Sequence, residues 1–219
     1  MESEKYWLRV DDIFTSIQGE STDAGKLCTF LRLYGCNVGC SFCDQKQDPK
    51  NLRRISSERV LTEITKRRVR NVCITGGEPL MQWGALLPVI LELVSLNYNV
   101  SVETSGCYRI DIDNYNRKYK YVMDVKCPSS GVSNKNILDN LLALHCRDEV
   151  KFVISNREDY DYAVKVIRRY PTQATLLFSP CFDESGKPMI GQELIDWLLK
   201  DHLYNIRRQI QMHKCLGVK

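Results

Sequence analysis

No stretch of this 219-residue chain is long and apolar enough to span a bilayer. Its longest apolar runs, such as Ala85 to Leu96, are broken by Pro88 and Glu92. The opening residues Met1-Glu2-Ser3-Glu4-Lys5 are polar and show neither a signal peptide nor an arginine-rich transit sequence. Repeats, low-complexity segments and linkers are missing as well, so a single domain over residues 1–219 is expected. Charge of one sign is scarce: 31 basic against 27 acidic residues leave a net +4. The basic clusters Lys66-Arg67-Arg68-Val69-Arg70, Arg168-Arg169 and Arg207-Arg208 read as solvated faces. A nucleic-acid groove wants a concentrated basic stripe with interleaved aromatics, so no nucleic-acid partner is expected. What is present is ordinary globular material, 43% hydrophobic and 26% charged, which excludes a disordered or fibrous chain. At this length folding buries roughly 70% of the unfolded chain's surface, enough for a real core without staples.

Ten cysteines are many for such a chain. Without an export signal a disulfide framework is not expected, and the cytoplasm is the natural compartment. Cys28, Cys73, Cys107, Cys127, Cys146, Cys181 and Cys215 stand alone and read as small hydrophobes. Cys36, Cys40 and Cys43 instead fall within eight residues, in a segment with two glycines.

Short β-branched runs alternate with helical patterns along the chain. The expected strands are Cys28–Leu33, Val72–Thr75, Val100–Glu103, Tyr121–Val125, Val150–Ile154 and Ala174–Phe178, with Trp7–Ile13 opening and Asn205–Gln211 closing the chain. Helices are expected over Ser56–Arg67, Leu80–Leu96, Asn136–Leu144, Glu158–Arg169 and Gly191–Lys200, with Ser57 and Asn156 as caps. The segment after Val100–Glu103 is too irregular to assign. Alternation with short connections argues for an α/β fold, a parallel sheet with helices outside it. Six units are too few for a closed eightfold barrel, so a partial (βα)6 TIM-like barrel is expected. Polar residues gather just past the strand ends, at Gly35-Cys36, Gly76-Gly77-Glu78-Pro79, Thr104-Ser105-Gly106, Lys126-Cys127-Pro128, Ser155-Asn156 and Ser179-Pro180. Those C-terminal strand ends are where α/β sheets and barrels bind ligands.

The spacing Cys36-x3-Cys40-x2-Cys43 gives three thiolates on one loop, enough for three irons of a cubane [4Fe-4S] cluster. The fourth iron then keeps an open position for a substrate or cofactor. A closed zinc site is the alternative; it needs a fourth ligand, and Cys28 lies inside a strand pattern.

Together with Gly76-Gly77-Glu78-Pro79, the cysteine triplet resembles the radical S-adenosylmethionine (SAM) superfamily. That resemblance implies a radical SAM barrel in which the open iron is chelated by SAM, and reduction of the cluster yields a 5′-deoxyadenosyl radical. The glycines let backbone approach the methionyl amine, and Glu78 adds an acceptor nearby. Flanking motifs Ser16-Ile17-Gln18-Gly19-Glu20, Phe30-Leu31-Arg32-Leu33, Cys43-Asp44, Val102-Glu103-Thr104-Ser105-Gly106 and Gln211-Met212-His213-Lys214 resemble the 7-carboxy-7-deazaguanine synthase family, from about Ile13 to the C-terminus. That resemblance implies a carbon–nitrogen lyase of queuosine and other deazapurine biosynthesis, and so of tRNA modification. Its reaction turns 6-carboxytetrahydropterin into 7-carboxy-7-deazaguanine with loss of ammonia. It further implies a homodimer, an external reductant such as flavodoxin or ferredoxin, and magnesium. No residue is assigned as catalytic, because SAM carries the radical.

Carried over, the resemblance places substrate contacts at Ile17, Gln18, Gly19, Glu20, Arg32, Thr104 and His213. It places SAM contacts at Phe42, Cys43, Asp44, Gly76, Gly77, Glu78, Gly106, Cys127, Pro128, Ser129, Ser179, Pro180, Cys181 and Phe182. Arg32 offers a planar fork to a carboxylate, and Gln18 and Glu20 offer donors and acceptors to a ring edge. Taken singly, Arg32, Glu20 and His213 also fit ordinary strand or loop roles. Two departures stand out. Gln45 replaces the family's threonine, whose hydroxyl reaches magnesium, and a glutamine oxygen is also acceptable to that ion. Ser21 stands where a glycine often follows the glutamate. A glycyl-radical activase remains an alternative but does not need Ser16 to Glu20 or His213; a zinc-binding module leaves the glycine turns unexplained.

Overall fold

The computed structural model describes residues 6–43, 45, 47–110, 117–183 and 185–219. Its strands are β1 (Trp7–Ile17), β2 (Leu27–Leu33), β3 (Arg53–Ser56), β4 (Asn71–Gly76), β5 (Asn99–Thr104), β6 (Lys120–Val125), β7 (Glu149–Ile154), β8 (Thr175–Pro180) and β9 (Arg207–Arg208). They form one sheet in the order β3-β1-β2-β4-β5-β6-β7-β8-β9. From β2 to β9 every neighbour is parallel, whereas β1 pairs antiparallel with both β2 and β3. The helices are α1 (Ser57–Thr65), α2 (Trp83–Ser95), α3 (Arg157–Arg169), α4 (Gln192–Lys200) and α5 (Met212–Leu216). The six expected parallel strands are all present, in the expected partial barrel.

Three expectations need correction, and one strand was not expected. The first helix is capped by Ser56, whose side chain accepts from the Arg59 N–H, while the Ser57 hydroxyl donates to the Tyr6 and Ala85 carbonyls. Asn156 does cap α3, accepting from the Asp159 N–H. The stretch Asn136–Leu144 forms a 3-10 helix, Leu138–Ala143, and Asn136 itself is held by two bonds to the Lys126 backbone. Asn205–Gln211 shrinks to the two residues of β9, because Gln211 turns into α5. An edge strand absent from the expectation, β3, pairs with the outer half of β1.

Side chains alternate across each strand. Leu31 and Leu33 of β2, Val72 and Ile74 of β4, Tyr121, Met123 and Val125 of β6, and Val150, Phe152 and Ile154 of β7 belong to the main core, with buried residues of α1 to α4. The intervening residues face inward. Cys28, Phe30 and Cys73 form a small apolar plug with Phe14, and above it the inner face turns polar.

Candidate active site

A cavity of about 370 Å³ lies at the C-terminal ends of the parallel strands and draws residues from nearly every one of them. The cysteine loop forms one side. Gln47 clips the far end of this loop back onto β2, accepting from the Gly35 N–H (2.7 Å) and donating to the Leu33 carbonyl (2.8 Å). Lys135 Nζ donates to the Asn37 and Val38 carbonyls, and Ser41 donates from its N–H to the Ser130 carbonyl and from its hydroxyl to that of Ser129. Cys36, Cys40 and Cys43 all line the cavity. Burial pushes the Cys40 thiol up, and the nearby Lys126 ammonium opposes that shift.

The thiol set fits a cluster. Among the described residues no three His, Cys, Asp or Glu side chains close around a single ion. Thiols spread along one loop facing a common space suit a bulkier multi-iron group. Cys28 is no fourth ligand: it is 3% exposed, part of the apolar plug, with its thiol pushed up to about 12 by burial and by the Glu103 carboxylate.

Gly76 and Gly77 act on the same loop. The Gly77 N–H donates to the Leu33 carbonyl and the Glu78 N–H to that of Gly35, both at 2.9 Å. A Cβ on Gly77 would lie 1.7 Å from the Gly35 oxygen, and Gly76 sits at φ +113°, where a side chain is strained. Gly77→Ala is expected to destabilise the protein by about 1–3 kcal/mol and to displace the start of the cysteine loop. Urea unfolding and bound iron per chain measure both effects; a variant matching wild type in each would contradict them.

The expected site residues divide. Ile17, Gln18, Gly19, Glu20, Arg32, Thr104 and His213 all line the cavity, as do Phe42, Cys43, Gln45, Gly76, Gly77, Cys181 and Phe182. Asp44 lies outside the described residues. Glu78, Gly106, Cys127, Pro128, Ser129, Ser179 and Pro180 stand off the wall. Glu78 is fully buried and its oxygens accept from the Leu80 N–H, the Thr104 hydroxyl (2.7 Å), and the Ser105 N–H and hydroxyl, so it staples the β4 turn to the end of β5. Cys127 packs in the main core, and the turn after it props the cysteine loop through the Ser129 and Ser130 carbonyls. Ser21 adopts φ +68°, the left-handed backbone that favours the glycine its position resembles.

Opposite the loop, Gln18 is 4% exposed and donates to Glu103, while Glu20 accepts from Lys151 (2.5 Å) and Gln211. His213 lies over Gly19, where a Cβ would meet its Nδ1 at 2.0 Å, and the Met212 N–H donates to the Gly19 carbonyl. Arg32 stacks 5.0 Å above the Phe14 ring, and its buried Nε has no hydrogen-bond partner among the described residues. Sequence reasoning gave Glu103, Lys126 and Gln211 only as members of motifs, without a site role, and missed Asp124 and Lys151 on this wall. A signal was present for some of them: Lys120, Asp124, Glu149 and Lys151 place charge on alternate positions of strands whose other positions are apolar.

The class follows from the comparison of this architecture with known proteins. The radical SAM superfamily profile matches residues 31–170, and the chain is a radical SAM protein. The 7-carboxy-7-deazaguanine synthase of Koribacter versatilis is 36% identical, covering 94% of this chain and 96% of the relative. That of Methanospirillum hungatei is 35% identical, covering 96% and 86%. Within the superfamily, the chain belongs to the 7-carboxy-7-deazaguanine synthase family. The crystal structure of QueE from Escherichia coli shares the fold, with a TM-score of 0.75 at 21% identity over 94% of this chain and 95% of that one.

Proposed function

We propose that this chain, acting as a single domain, converts 6-carboxytetrahydropterin to 7-carboxy-7-deazaguanine with loss of ammonia, as a carbon–nitrogen lyase of deazapurine biosynthesis. The observation that carries the substrate assignment is Arg32. Arg32 lines the cavity with its Nε unpartnered among the described residues, and the carboxylates Glu20 and Glu103 line the same cavity, a set that suits a planar heterocycle bearing a carboxylate. Cys36, Cys40 and Cys43 would hold the [4Fe-4S] cluster, and Gly76, Gly77, Cys181 and Phe182 border the space for SAM. When bound, the cluster and SAM supply one-electron cleavage chemistry. The chain's own residues hold the ring and exclude water: Phe14 and Phe30 floor the cavity, and α5 covers one side through His213. Reduction by flavodoxin or ferredoxin, a homodimer and a cytoplasmic location complete the proposal. It is supported by the ten free thiols and by exposed apolar side chains such as Leu199, Tyr204 and Leu216. Among the described residues, no helix is long and apolar enough to cross a membrane.

Anaerobic protein given SAM, dithionite and 6-carboxytetrahydropterin is expected to release 7-carboxy-7-deazaguanine and ammonia. Cleavage of SAM without that product would overturn the substrate assignment. Magnesium is part of the same proposal. Gln45 lines the cavity and can give one uncharged oxygen, from a side chain that costs about 1 kcal/mol more entropy to fix than threonine. After stripping with a chelator, turnover is expected to persist at a reduced rate, and Gln45→Thr to increase the stimulation by added magnesium. Complete loss of wild-type turnover, fully restored by the ion, would show that this loop holds magnesium well.

A further inference from the structure

Lys151 sits in the middle of β7, only 11% exposed, with its ammonium aimed into the cavity. Such a charge is costly to bury without partners. It has two: Glu20 Oε2 at 2.5 Å, from the loop after β1, and Asp124 Oδ2 at 3.5 Å, from the neighbouring position of β6 in the parallel register. Asp124 also meets Lys126 at 2.9 Å, and its Oδ1 is buried with no hydrogen-bond partner among the described residues. Glu20 has Gln211 on its other oxygen. Two carboxylates from separate elements therefore share one ammonium, and each keeps accepting capacity toward the cavity.

We propose that Lys151 is a positioning residue for the reaction: set between Glu20 and Asp124, it fixes the two carboxylates as paired acceptors for the N–H groups of the bound heterocycle. This rests on the substrate assignment above. The charged groups acting on this cluster are Glu103 from β5 and Lys126 from the end of β6, and Arg32, His213, Lys214 and Lys219 line the same cavity. Burial works against the Lys151 charge, but Glu20, Asp124 and Glu103 outweigh it and hold the ammonium well above its usual range. Burial likewise opposes the Glu20 charge, and Lys151 and Gln211 reverse the balance, keeping that carboxyl below its usual range. Lys126 supports only Asp124 by contact, so Glu20 depends on Lys151 for its ionised form.

Lys151→Met tests this in the iron-loaded enzyme. Wild-type turnover of 6-carboxytetrahydropterin first tests the substrate assignment separately. The variant's KM for this substrate is expected to rise about tenfold or more, with kcat changed by less than about threefold and SAM cleavage in the absence of substrate unchanged. Unchanged KM would overturn the proposal. A second readout needs no substrate. With Lys151 gone, the Glu20 carboxyl rises above its unfolded value, so the folded state holds a proton that the unfolded chain releases, and Tm falls as pH rises from about 5 to about 7. Wild type, whose Glu20 is lowered, lacks this contribution to the profile. Identical Tm profiles for the two proteins would also overturn the proposal. Should Lys151→Met fail to fold, Lys151→Met with Glu20→Gln removes the unpaired charge and is compared with Glu20→Gln alone: a further rise in KM supports positioning of Asp124 by Lys151, and equal KM values refute it.

Discussion

Cys36→Ala, Cys40→Ala and Cys43→Ala are each expected to abolish visible cluster absorption, bound iron and SAM cleavage while leaving the fold intact. The loop's shape rests mainly on bonds outside its thiols, which add the long contacts from the Val38 N–H to Cys36 Sγ (3.5 Å) and from Cys43 Sγ to the Gln45 carbonyl (3.8 Å). Gln47 ties its end to Gly35 and Leu33, Lys135 holds the carbonyls of Asn37 and Val38, and Ser41 is fastened to Ser129 and Ser130. Val38, 2% exposed, anchors the turn from beneath. Losing one sulfur thus removes a ligand and at most one long sulfur contact, while the Gln47, Lys135 and Ser41 tethers stay. Cys28→Ala is the control, since that thiol is sealed behind Phe30 and faces Cys73 and Glu103. Iron and sulfide content, visible absorption and far-UV circular dichroism separate the outcomes. A folded Cys28→Ala protein without iron, or an alanine variant of the triplet that keeps its iron, would sink the ligand assignment.

Arg32→Ala is expected to weaken 6-carboxytetrahydropterin binding by about 3–5 kcal/mol, roughly two to three and a half decades in affinity, because it strands a substrate carboxylate in a desolvated cavity. Arg32 is available for this task. Its neighbours within the cavity wall are aromatic, with the guanidinium 5.0 Å over Phe14 and that ring stacked 5.0 Å from Phe30. None of the ion pairs among the described residues uses it. The stacked platform keeps the fork's plane in place, so Arg32→Lys, which retains charge but loses both the stacking and the bidentate geometry, should recover only part of the loss. Equilibrium binding to the iron-loaded protein measures the effect, with iron content and SAM binding as controls that should not move. Near-normal substrate affinity in Arg32→Ala would make the residue structural.

Much of the framework was legible in the residues because it is set by local chemistry. The six parallel strands are β-branched runs bounded by turn residues, Asn156 announces α3 three residues before the N–H it caps, and the three cysteines and two glycines occupy fixed offsets past two strand ends. The direction of β1 and the existence of β3 were not legible, since an alternating strand looks the same whichever way its neighbour runs. The fate of Glu78 was hidden for a related reason: only when β5 lies beside β4 do Thr104 and Ser105 come within reach and claim the oxygens that a sequence would offer to a ligand. The same holds for Lys151, whose partners Glu20 and Asp124 lie far from it along the chain and meet it only inside the barrel. Spacing along the chain can identify residues that act within one turn or loop. Which face of a strand turns inward, and which distant charges share that interior, depends on sheet order and register, because burial and pairing are properties of neighbours in space.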